Sequence, residues 1–207
     1  MRNNREGLLI VISGPSGVGK GTVCKCLLEN NKNFKVSVSA TTREPRKDEI
    51  EGVNYFFKTK EEFEKMIKNN EFLEYVDVFG MNYYGTPRAY VEEELRAGND
   101  IILEIDVQGA MRVKETFPDA VTVFIAPPSM STLKSRLIGR GTESQEAVEK
   151  RFAQAFEELK YITKYDYVVI NSVLLKAVSD VESIIKAEHL RVFRNTDITN
   201  KILGGNE

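Results

Sequence analysis

Short, continuous apolar runs separated by amphipathic segments dominate the hydrophobic pattern of the chain. Five of these runs are rich in β-branched residues and predict buried strands. They span residues 8–13, 34–39, 100–106, 121–126 and 167–171. Between them, apolar residues recur with helical spacing over residues 20–30 and 176–193. Strands that alternate with helices favour an α/β fold, with a parallel sheet flanked by helices.

Two segments interrupt this alternation. Residues 40–86 combine a polar loop, short strand-like runs and a short helical segment at 60–69, which predicts a small inserted lobe. Residues 127–165 begin with two prolines and continue as two charged helices around GRGTES, which predicts a second, helical insertion. The polar tail NTDITNKILGGNE is expected to fray.

Composition adds limits on partners and compartment. The chain has 207 residues, enough for one domain, of which 42% are hydrophobic and 29% charged, and its formal net charge is −2. A nucleic-acid backbone would need a basic field that this balance does not supply, so we expect no nucleic-acid partner. No apolar stretch approaches the ~20 residues that span a bilayer, and MRNNREG leads directly into a strand, so we expect a cytoplasmic protein without a membrane partner.

The two cysteines and the single histidine are not candidates for chemistry. Cys24 and Cys26 lie two apart on a predicted helix, so their side chains point to different faces and we interpret them as core residues in a reducing compartment. His189 lies in the last long helix, far along the chain from the motifs described below, and we interpret it as structural.

The clearest motif is GPSGVGKGT, which follows the first strand and precedes the first helix. Glycines 14, 17 and 19 allow backbone N–H groups to turn toward one anion, and the new helix adds the positive end of its dipole. Lys20 would reach the β- and γ-phosphates of a nucleotide. A turn without a ligand needs one glycine and no lysine. The motif therefore predicts polyphosphate binding by Gly14, Pro15, Ser16, Gly17, Val18, Gly19, Lys20, Gly21 and Thr22.

The motif departs from the usual pattern at one position. Gly21 stands where the pattern has a serine or threonine hydroxyl for Mg²⁺, and Thr22 follows it. Thr22 remains a candidate for a phosphate contact or for a water-mediated metal contact. Glu104 and Asp106, at the end of the strand 100–106, are candidates to hold Mg²⁺ or its water shell. The alternative for such a carboxylate is to cap the helix that begins at VQGAM.

A second cluster is suited to a phosphate monoester. Arg43 and Arg46 lie three apart in SVSATTREPR, and Pro45 between them prevents an extended helix. Tyr55, Tyr83 and Tyr84 lie in the same predicted lobe, where their hydroxyls can donate to the same phosphate. The alternative is a solvated loop beside tyrosines of the core.

The second insertion carries Arg136, Arg140 and Arg151. Phosphoryl transfer requires neutralisation of charge on the moving group, and arginines on a closing lid can supply it while excluding water. The alternative is that these arginines lie on an ordinary solvated helix face.

Together these segments resemble the guanylate kinase family. GPSGVGKGT, SVSATTREPR, GVNYFF, NEFLEY, NYYGT, LEIDVQGA, FIAPPS and RLIGRGTE occur in the family's order between residue 8 and about residue 171. The resemblance implies a P-loop kinase that transfers phosphate from ATP to GMP with Mg²⁺. It further implies a domain at 7–187, with a core (7–36, 96–126, 166–187), a GMP-binding arm (37–95) and a lid (127–165), before a final segment at 188–207.

Residue by residue, the resemblance implies the following roles. Catalysis falls to Lys20, Arg43, Arg136, Arg140 and Arg151. ATP binding falls to residues 14–22 and Asn171. GMP binding falls to Ser39, Arg43, Arg46, Tyr55, Glu74, Tyr84, Thr86, Glu104 and Asp106. Asp106 and Thr22 would hold the metal, mostly through water. Thr86 stands where some members have serine, and Ser172 stands where an acidic residue can follow Asn171.

Two rival functions remain. Guanylate-kinase-like domains of scaffold proteins bind partner proteins, but they have degraded phosphate loops, whereas Lys20 is present here. A kinase for another acceptor, such as a ribose bisphosphate, would have no use for Glu74, Ser39 and Thr86, because a sugar phosphate has no guanine edge. We expect a monomer or homodimer acting on ATP and GMP.

Overall fold

The computed structural model describes residues 6–78, 80–139, 145–196 and 198–204. The strands of this part of the chain are β1 (Leu9–Ser13), β2 (Phe34–Val36), β3 (Ala40–Thr41), β4 (Phe56–Phe57), β5 (Phe72–Val78), β6 (Asn82–Pro87), β7 (Asp100–Glu104), β8 (Val121–Ala126) and β9 (Tyr167–Ile170). The helices are α1 (Lys20–Asn30), α2 (Lys60–Lys68), α3 (Arg88–Arg96), α4 (Val107–Thr116), α5 (Met130–Ile138), α6 (Gln145–Leu159), α7 (Leu174–His189) and α8 (Ile198–Leu203).

A five-stranded parallel sheet forms the centre of the molecule, in the order β2-β7-β1-β8-β9. Because side chains alternate along a strand, β1 supplies two cores at once. Ile10 and Ile12 pack with α1, α5, α6 and α7, whereas Leu9 and Val11 pack with α3 and α4 on the other face. The predicted α/β fold, with a parallel sheet flanked by helices, is confirmed.

A smaller, four-stranded sheet lies beside the first, in the order β4-β3-β6-β5. Its strands pair antiparallel except for β3 and β4. Helix α2 packs on it through Phe63, whose ring stacks on Phe72 at 4.3 Å and on Tyr83 at 5.2 Å. A reciprocal cap between Thr59 and Glu62 fixes the start of α2, which confirms the helix expected at 60–69.

The structure departs from the sequence-based elements at several places; among them, β2 ends at Val36 rather than at residue 39, and α7 ends at His189 rather than at residue 193. Strand β7 ends at Glu104, two residues earlier than predicted, because Asp106 already caps α4. Residues 88–96, to which no element was assigned, form α3. Within the polar tail that was expected to fray, residues 198–203 form the short helix α8.

The cysteines and the histidine behave as predicted. Both cysteines are free; Cys24 is buried and Cys26 packs partly against the same core. His189 Nε2 lies 2.8 Å from Asp100 Oδ2, at the start of β7 and therefore at the end of the sheet opposite the phosphate loop. Asp100 also accepts a hydrogen bond from the N–H of Leu8, so the pair ties α7 to the sheet. None of the helices that the structure describes is long and apolar enough to cross a bilayer.

Candidate active site

The glycine loop between β1 and α1 is shaped by its backbone. Gly14, Gly17 and Gly19 have φ angles of +136°, +87° and +91°, in the region that side-chain-bearing residues rarely adopt. Gly19 is also the N-cap of α1, so the loop passes directly into the helix N-terminus. A Cβ on Gly14 would lie 2.2 Å from the carbonyl oxygen of Ile125 on β8. Position 14 therefore fits against the sheet only without a side chain, and the glycine turn followed by a helix N-terminus suits an anion.

Lys20 is the first residue of α1 and folds back over this loop. Its Nζ donates to the carbonyl oxygen of Gly14 at 2.6 Å and to that of Pro15 at 3.2 Å. Burial lowers the pKa of Lys20 below its ordinary value. Carboxylates around it oppose this shift; they belong to Glu104, Glu158 and Asp106. A cation in this place suits a polyphosphate, which would replace the carbonyl contacts.

The two acidic residues at the carboxyl end of β7, Glu104 within the strand and Asp106 just beyond it, have different roles. Asp106 Oδ1 accepts a hydrogen bond of 2.6 Å from the N–H of Gly109, so this side chain caps α4, the alternative that its sequence position had allowed. Glu104 is exposed at the strand end and faces Gly21, where a Cβ would lie 3.4 Å from its Oε1. The space left by the missing hydroxyl at position 21 is thus next to a carboxylate.

Helices α5 and α6 bring basic side chains onto the loop. Arg136 on α5 donates to the carbonyl oxygens of Asn171 at 2.9 Å and Val18 at 3.4 Å. Arg151 on α6 donates to Ser16 Oγ. The buried amide of Asn171 donates to Val18 O at 2.8 Å, so it supports the loop from behind. Arg140 lies outside the described residues. Thr22 is exposed on α1, one residue beyond Gly21.

A further carboxylate near the loop was not predicted. Glu158 lies seven residues after Arg151 and therefore on the same face of α6. Burial raises the pKa of Glu158, while Lys20 and the N–H of Ser16 oppose this shift. Its Oε1 accepts a hydrogen bond of 2.9 Å from Gln154. The two-turn spacing from Arg151 was the available sequence signal.

Strand register in the small sheet aligns three polar residues in one row. Glu74 on β5 is opposite Thr86 on β6, and Gly85 is opposite Ala40 on β3. Ser39 directly precedes Ala40, so the antiparallel register places it beside Thr86. Ser39 and Glu74, at the two ends of this row, lie 35 positions apart in the sequence. With Thr86 between them they form one polar strip.

Glu74 is a buried carboxylate, only 8% exposed. Its Oε1 accepts a hydrogen bond of 2.9 Å from Thr86, and its Oε2 lies 3.9 Å from Nη2 of Arg112 on α4. Burial raises the pKa of Glu74, the Thr86 hydroxyl and Arg112 oppose that shift, and the carboxylate of Asp106 adds to it. Such a group can accept two hydrogen bonds from a ligand that displaces water.

Arg43 lies beside two aromatic residues of the same lobe. Its guanidinium is 5.5 Å from the ring centre of Tyr55, whose ring meets that of Tyr84 edge-on at 6.0 Å. Its Nη2 donates to both oxygens of Glu49, at 2.8 and 2.9 Å, and this pairing, with a smaller contribution from Tyr84, raises the pKa of Arg43. Glu49 also accepts from the backbone N–H of Arg46. The side chain of Arg46 is exposed.

Six residues of this lobe are called the acceptor cluster below: Ser39, Arg43, Tyr55, Glu74, Tyr84 and Thr86. Glu49 and Arg112, which contact its members, were not predicted. Glu49 had a weak signal, because it lies three residues after Arg46 in the same loop. Arg112 had none, because its position depends on how α4 packs against β5.

Comparisons with known proteins agree on one family. Residues 6–188 match the family model described as guanylate kinase. A guanylate kinase from Caldanaerobacter subterraneus subsp. tengcongensis is 55% identical over 202 residues, which are 98% of each chain. One from Clostridium tetani is 57% identical over 192 residues, 93% of this chain and 91% of the relative.

A solved structure gives the same result. The crystal structure of guanylate kinase from Anaplasma phagocytophilum matches with a TM-score of 0.69 and 36% identity, and the match covers 92% of this chain and 90% of that chain. The phosphate loop and the acceptor cluster both lie within the matched part of the family model.

Proposed function

The chain belongs to the guanylate kinase family, whose members are ATP:GMP phosphotransferases, and we propose that its phosphate loop holds ATP while the acceptor cluster holds GMP. The observation that carries the proposal for the site residues is the buried carboxylate of Glu74, aligned with Thr86 and Ser39 in a molecule that also has a phosphate loop. A kinase for a sugar phosphate has no use for such a row.

On the donor side, the loop N–H groups and Lys20 bind the ATP phosphates. Lys20 exchanges its contacts with the carbonyls of Gly14 and Pro15 for phosphate oxygens. Arg136 and Arg151 already touch the loop and add positive charge where the phosphoryl group moves. Asn171 supports the loop. Arg140 is proposed to act with them, on the resemblance alone.

Magnesium fits the exposed carboxylates at the carboxyl end of β7. Among the described residues, no group of three or more His, Cys, Asp or Glu side chains could hold a metal ion by itself. Mg²⁺ usually binds proteins through one or two carboxylates and keeps several waters and substrate phosphates, so Asp106 and Glu104 suffice, with Thr22 at most through water. When bound, it neutralises the charge of the β- and γ-phosphates.

On the acceptor side, Arg43, Arg46, Tyr55 and Tyr84 bind the GMP phosphate, and Arg43 must release Glu49 for it. The base is recognised by Glu74. Guanine presents two adjacent donors, N1–H and the 2-amino group, and an ionised carboxylate accepts both. The hydroxyl of Ser39 can donate to O6, whereas that of Thr86 can do so only if it releases Oε1 of Glu74.

We further propose that the chain divides into the core, arm and lid given above, and that the two nucleotides draw the arm and lid together. Donor and acceptor residues lie on different sheets and helices, so closure around both substrates would exclude water from the transfer. A monomer or homodimer acting on small molecules in the cytoplasm remains our expectation.

The test compares kcat/KM for GMP, IMP and AMP, with ATP as donor, in the wild type and in Glu74→Gln. AMP lacks the N1 proton and has an amino donor at position 6, where GMP has the acceptor O6. We therefore expect roughly 10⁴-fold discrimination against AMP. IMP lacks the 2-amino group alone and should fall between. Glu74→Gln should strongly lower kcat/KM for GMP and narrow the ratio of kcat/KM between GMP and IMP, while its melting temperature changes little.

Glu71→Gln is the matched control, because Glu71 is an exposed carboxylate just before β5. The pH dependence adds a second check. The wild-type advantage over Glu74→Gln should shrink as pH falls through the raised pKa of Glu74, because the protonated acid loses an acceptor. Titration of the GMP phosphate cancels in this ratio. An unchanged GMP-to-IMP ratio in Glu74→Gln would mean that Glu74 does not contact the base.

A further inference from the structure

Helix α4 carries a guanidinium to the carboxylate that is proposed to bind guanine. Arg112 Nη2 lies 3.9 Å from Oε2 of Glu74, whereas the other oxygen, Oε1, already accepts from Thr86. The two oxygens of one carboxylate thus have different neighbours: a hydroxyl in hydrogen-bond contact and a cation just beyond it.

The packing of α4 against β5 fixes this placement. Thr116 Oγ1 donates to the carbonyl oxygen of Leu73, the residue before Glu74, at 2.8 Å. Arg112 lies four residues before Thr116 and therefore on the same helix face. Gly109, three residues before Arg112, brings the helix backbone close to Glu74, since a Cβ there would lie 3.4 Å from Oε2. The helix that carries Arg112 is thus held against β5 by a hydrogen bond on one side of this residue and lies close to Glu74 on the other.

The distance and the burial decide what Arg112 can do. At 3.9 Å the guanidinium is too far for a direct hydrogen bond, so Oε2 keeps its lone pairs for a ligand. An opposite charge at this distance still stabilises an ionised carboxylate. The stabilisation matters because Glu74 is only 8% exposed, and a base placed on it would remove the remaining water.

Arg112 also retains unused hydrogen-bonding capacity. Its Nε is buried and has no partner among the residues that the structure describes. Its side chain is 38% exposed, so an ordinary surface pair is the competing interpretation, and such pairs contribute little. The difference in exposure between the two side chains favours a specific role, since Glu74 is buried and belongs to the row of Ser39, Thr86 and Glu74.

We propose that Arg112 is a positioning residue for the acceptor base: it holds Glu74 ionised and oriented while leaving Oε2 open to the donors of guanine. This proposal rests on the proposed function, because it assigns Arg112 to the recognition of GMP. It predicts that Arg112 affects the binding of a base with two adjacent donors more than the binding of a base with one, and more than the transfer of phosphate.

The experiment compares Arg112→Gln, Arg112→Lys and the control Arg96→Gln. Arg96 is an exposed arginine whose Nε donates to the carbonyl of Glu92 within its own helix. In each protein, kcat and KM are measured for GMP and for IMP at saturating ATP, together with the melting temperature. Arg112→Gln should raise KM for GMP about two- to fivefold, the size of effect found for ion pairs with an exposed member.

We expect kcat at saturating GMP to change little in Arg112→Gln, and KM for IMP to rise less, so that the GMP-to-IMP ratio narrows. Arg112→Lys keeps the charge and should restore most of the loss, and Arg96→Gln should match the wild type. Unchanged KM and ratio in Arg112→Gln would overturn the proposal. Arg112→Gln could instead lower kcat, raise KM and lower the melting temperature together, without recovery in Arg112→Lys. That result would show a structural role and would also overturn the proposal.

These outcomes are separable from failure of the proposed function. If the wild type and Arg96→Gln do not phosphorylate GMP at all, the assignment of the acceptor is wrong. If both phosphorylate GMP and discriminate against IMP while Arg112→Gln does the same, the acceptor assignment stands and Arg112 has no part in it.

Discussion

The phosphate loop of residues 14–22 offers a ligand mostly backbone, whereas the acceptor cluster offers it mostly side chains. In the loop, three glycines adopt positive φ angles, and the close approach of β8 leaves no room for a Cβ on Gly14. Its geometry is therefore set by packing before any ligand arrives. Lys20 contributes the one side-chain cation of this stretch.

The acceptor cluster is set by strand register and by internal partners. Arg43 is paired with Glu49, and Glu74 with Thr86 and Arg112. A ligand must replace some of these partners, while the strands themselves stay paired. The comparison teaches that adding atoms should damage the donor site, because its backbone is close-packed, and that removing or neutralising side chains should alter the acceptor site.

The largest effect should come from the exception to this rule, Lys20→Ala. The backbone of the loop can supply N–H groups but not a full positive charge, so loss of Lys20 should lower kcat by roughly 10³-fold or more. The fold should survive, because Lys20 is half-buried and its polar contacts are to two carbonyl groups of the loop. Single-turnover rates and melting curves measure the two effects separately.

Lys25→Ala is the matched control, because Lys25 lies on the same helix with its side chain 76% exposed. It should retain wild-type kcat. If Lys20→Ala melted normally and kept near-normal turnover, the charge needed at the moving phosphoryl group would come from elsewhere, and Arg136 and Arg151 would be the next candidates.

The second-largest effect tests whether added atoms damage the donor site, with substitutions at two glycines of the phosphate loop. Gly14→Ala should cost about 2 kcal/mol or more, because it combines a positive φ with a Cβ 2.2 Å from a carbonyl oxygen of β8. For a chain of this length, that lowers the melting temperature by roughly 4–8 °C. Gly21 has neither problem, since its Cβ would be in ordinary contact with Glu104.

Gly21→Ala should therefore melt at or slightly above the wild-type temperature, because alanine is the better helix former by up to about 1 kcal/mol. Differential scanning calorimetry on both variants decides the point. Equal destabilisation of the two would show that the loop is intolerant of any side chain for reasons other than backbone geometry, and the contrast between close-packed and open positions would fail.

Much of the donor side was predictable from local sequence. A glycine loop between a strand and a helix carries its own geometry within nine residues, and the structure has β1 and α1 where the apolar pattern predicted them. The end of β7 was less predictable, because the extended run continues to Asp106 in sequence while the side chain of Asp106 already caps α4. Alternation alone does not distinguish a last strand residue from a cap.

The acceptor side was predictable in its members and not in its partners. Resemblance pointed to Glu74, Thr86 and Ser39, and strand register then explained why they form a row. Arg112 could not be predicted, because an arginine on an amphipathic helix ordinarily faces water, and its approach to Glu74 depends on the packing of α4 on β5. Long-range packing of this kind leaves no local pattern.

The smallest effect concerns the internal partner of Arg43. Glu49 accepts from Arg43 Nη2 and from the N–H of Arg46, in the loop where the GMP phosphate is proposed to bind. A carboxylate there competes with the phosphate for Arg43 and also repels the phosphate. Glu49→Gln keeps an acceptor and removes the charge, so KM for GMP should fall about two- to threefold, with kcat little changed. The effect is small because this half-buried pair keeps some contact with solvent, which partly screens it.

The same reasoning fixes the control and the salt dependence for Glu49→Gln. Glu44→Gln removes an equal charge from the same loop, but the contact of Glu44 with Arg43 is through its backbone carbonyl, so KM should be closer to the wild type. Raising the ionic strength should shrink the difference between Glu49→Gln and the wild type, because the competition is electrostatic. A rise in KM for GMP in Glu49→Gln would contradict the prediction: Glu49 would then orient Arg43 toward the phosphate rather than compete with it, and the acceptor cluster would be as preformed as the phosphate loop.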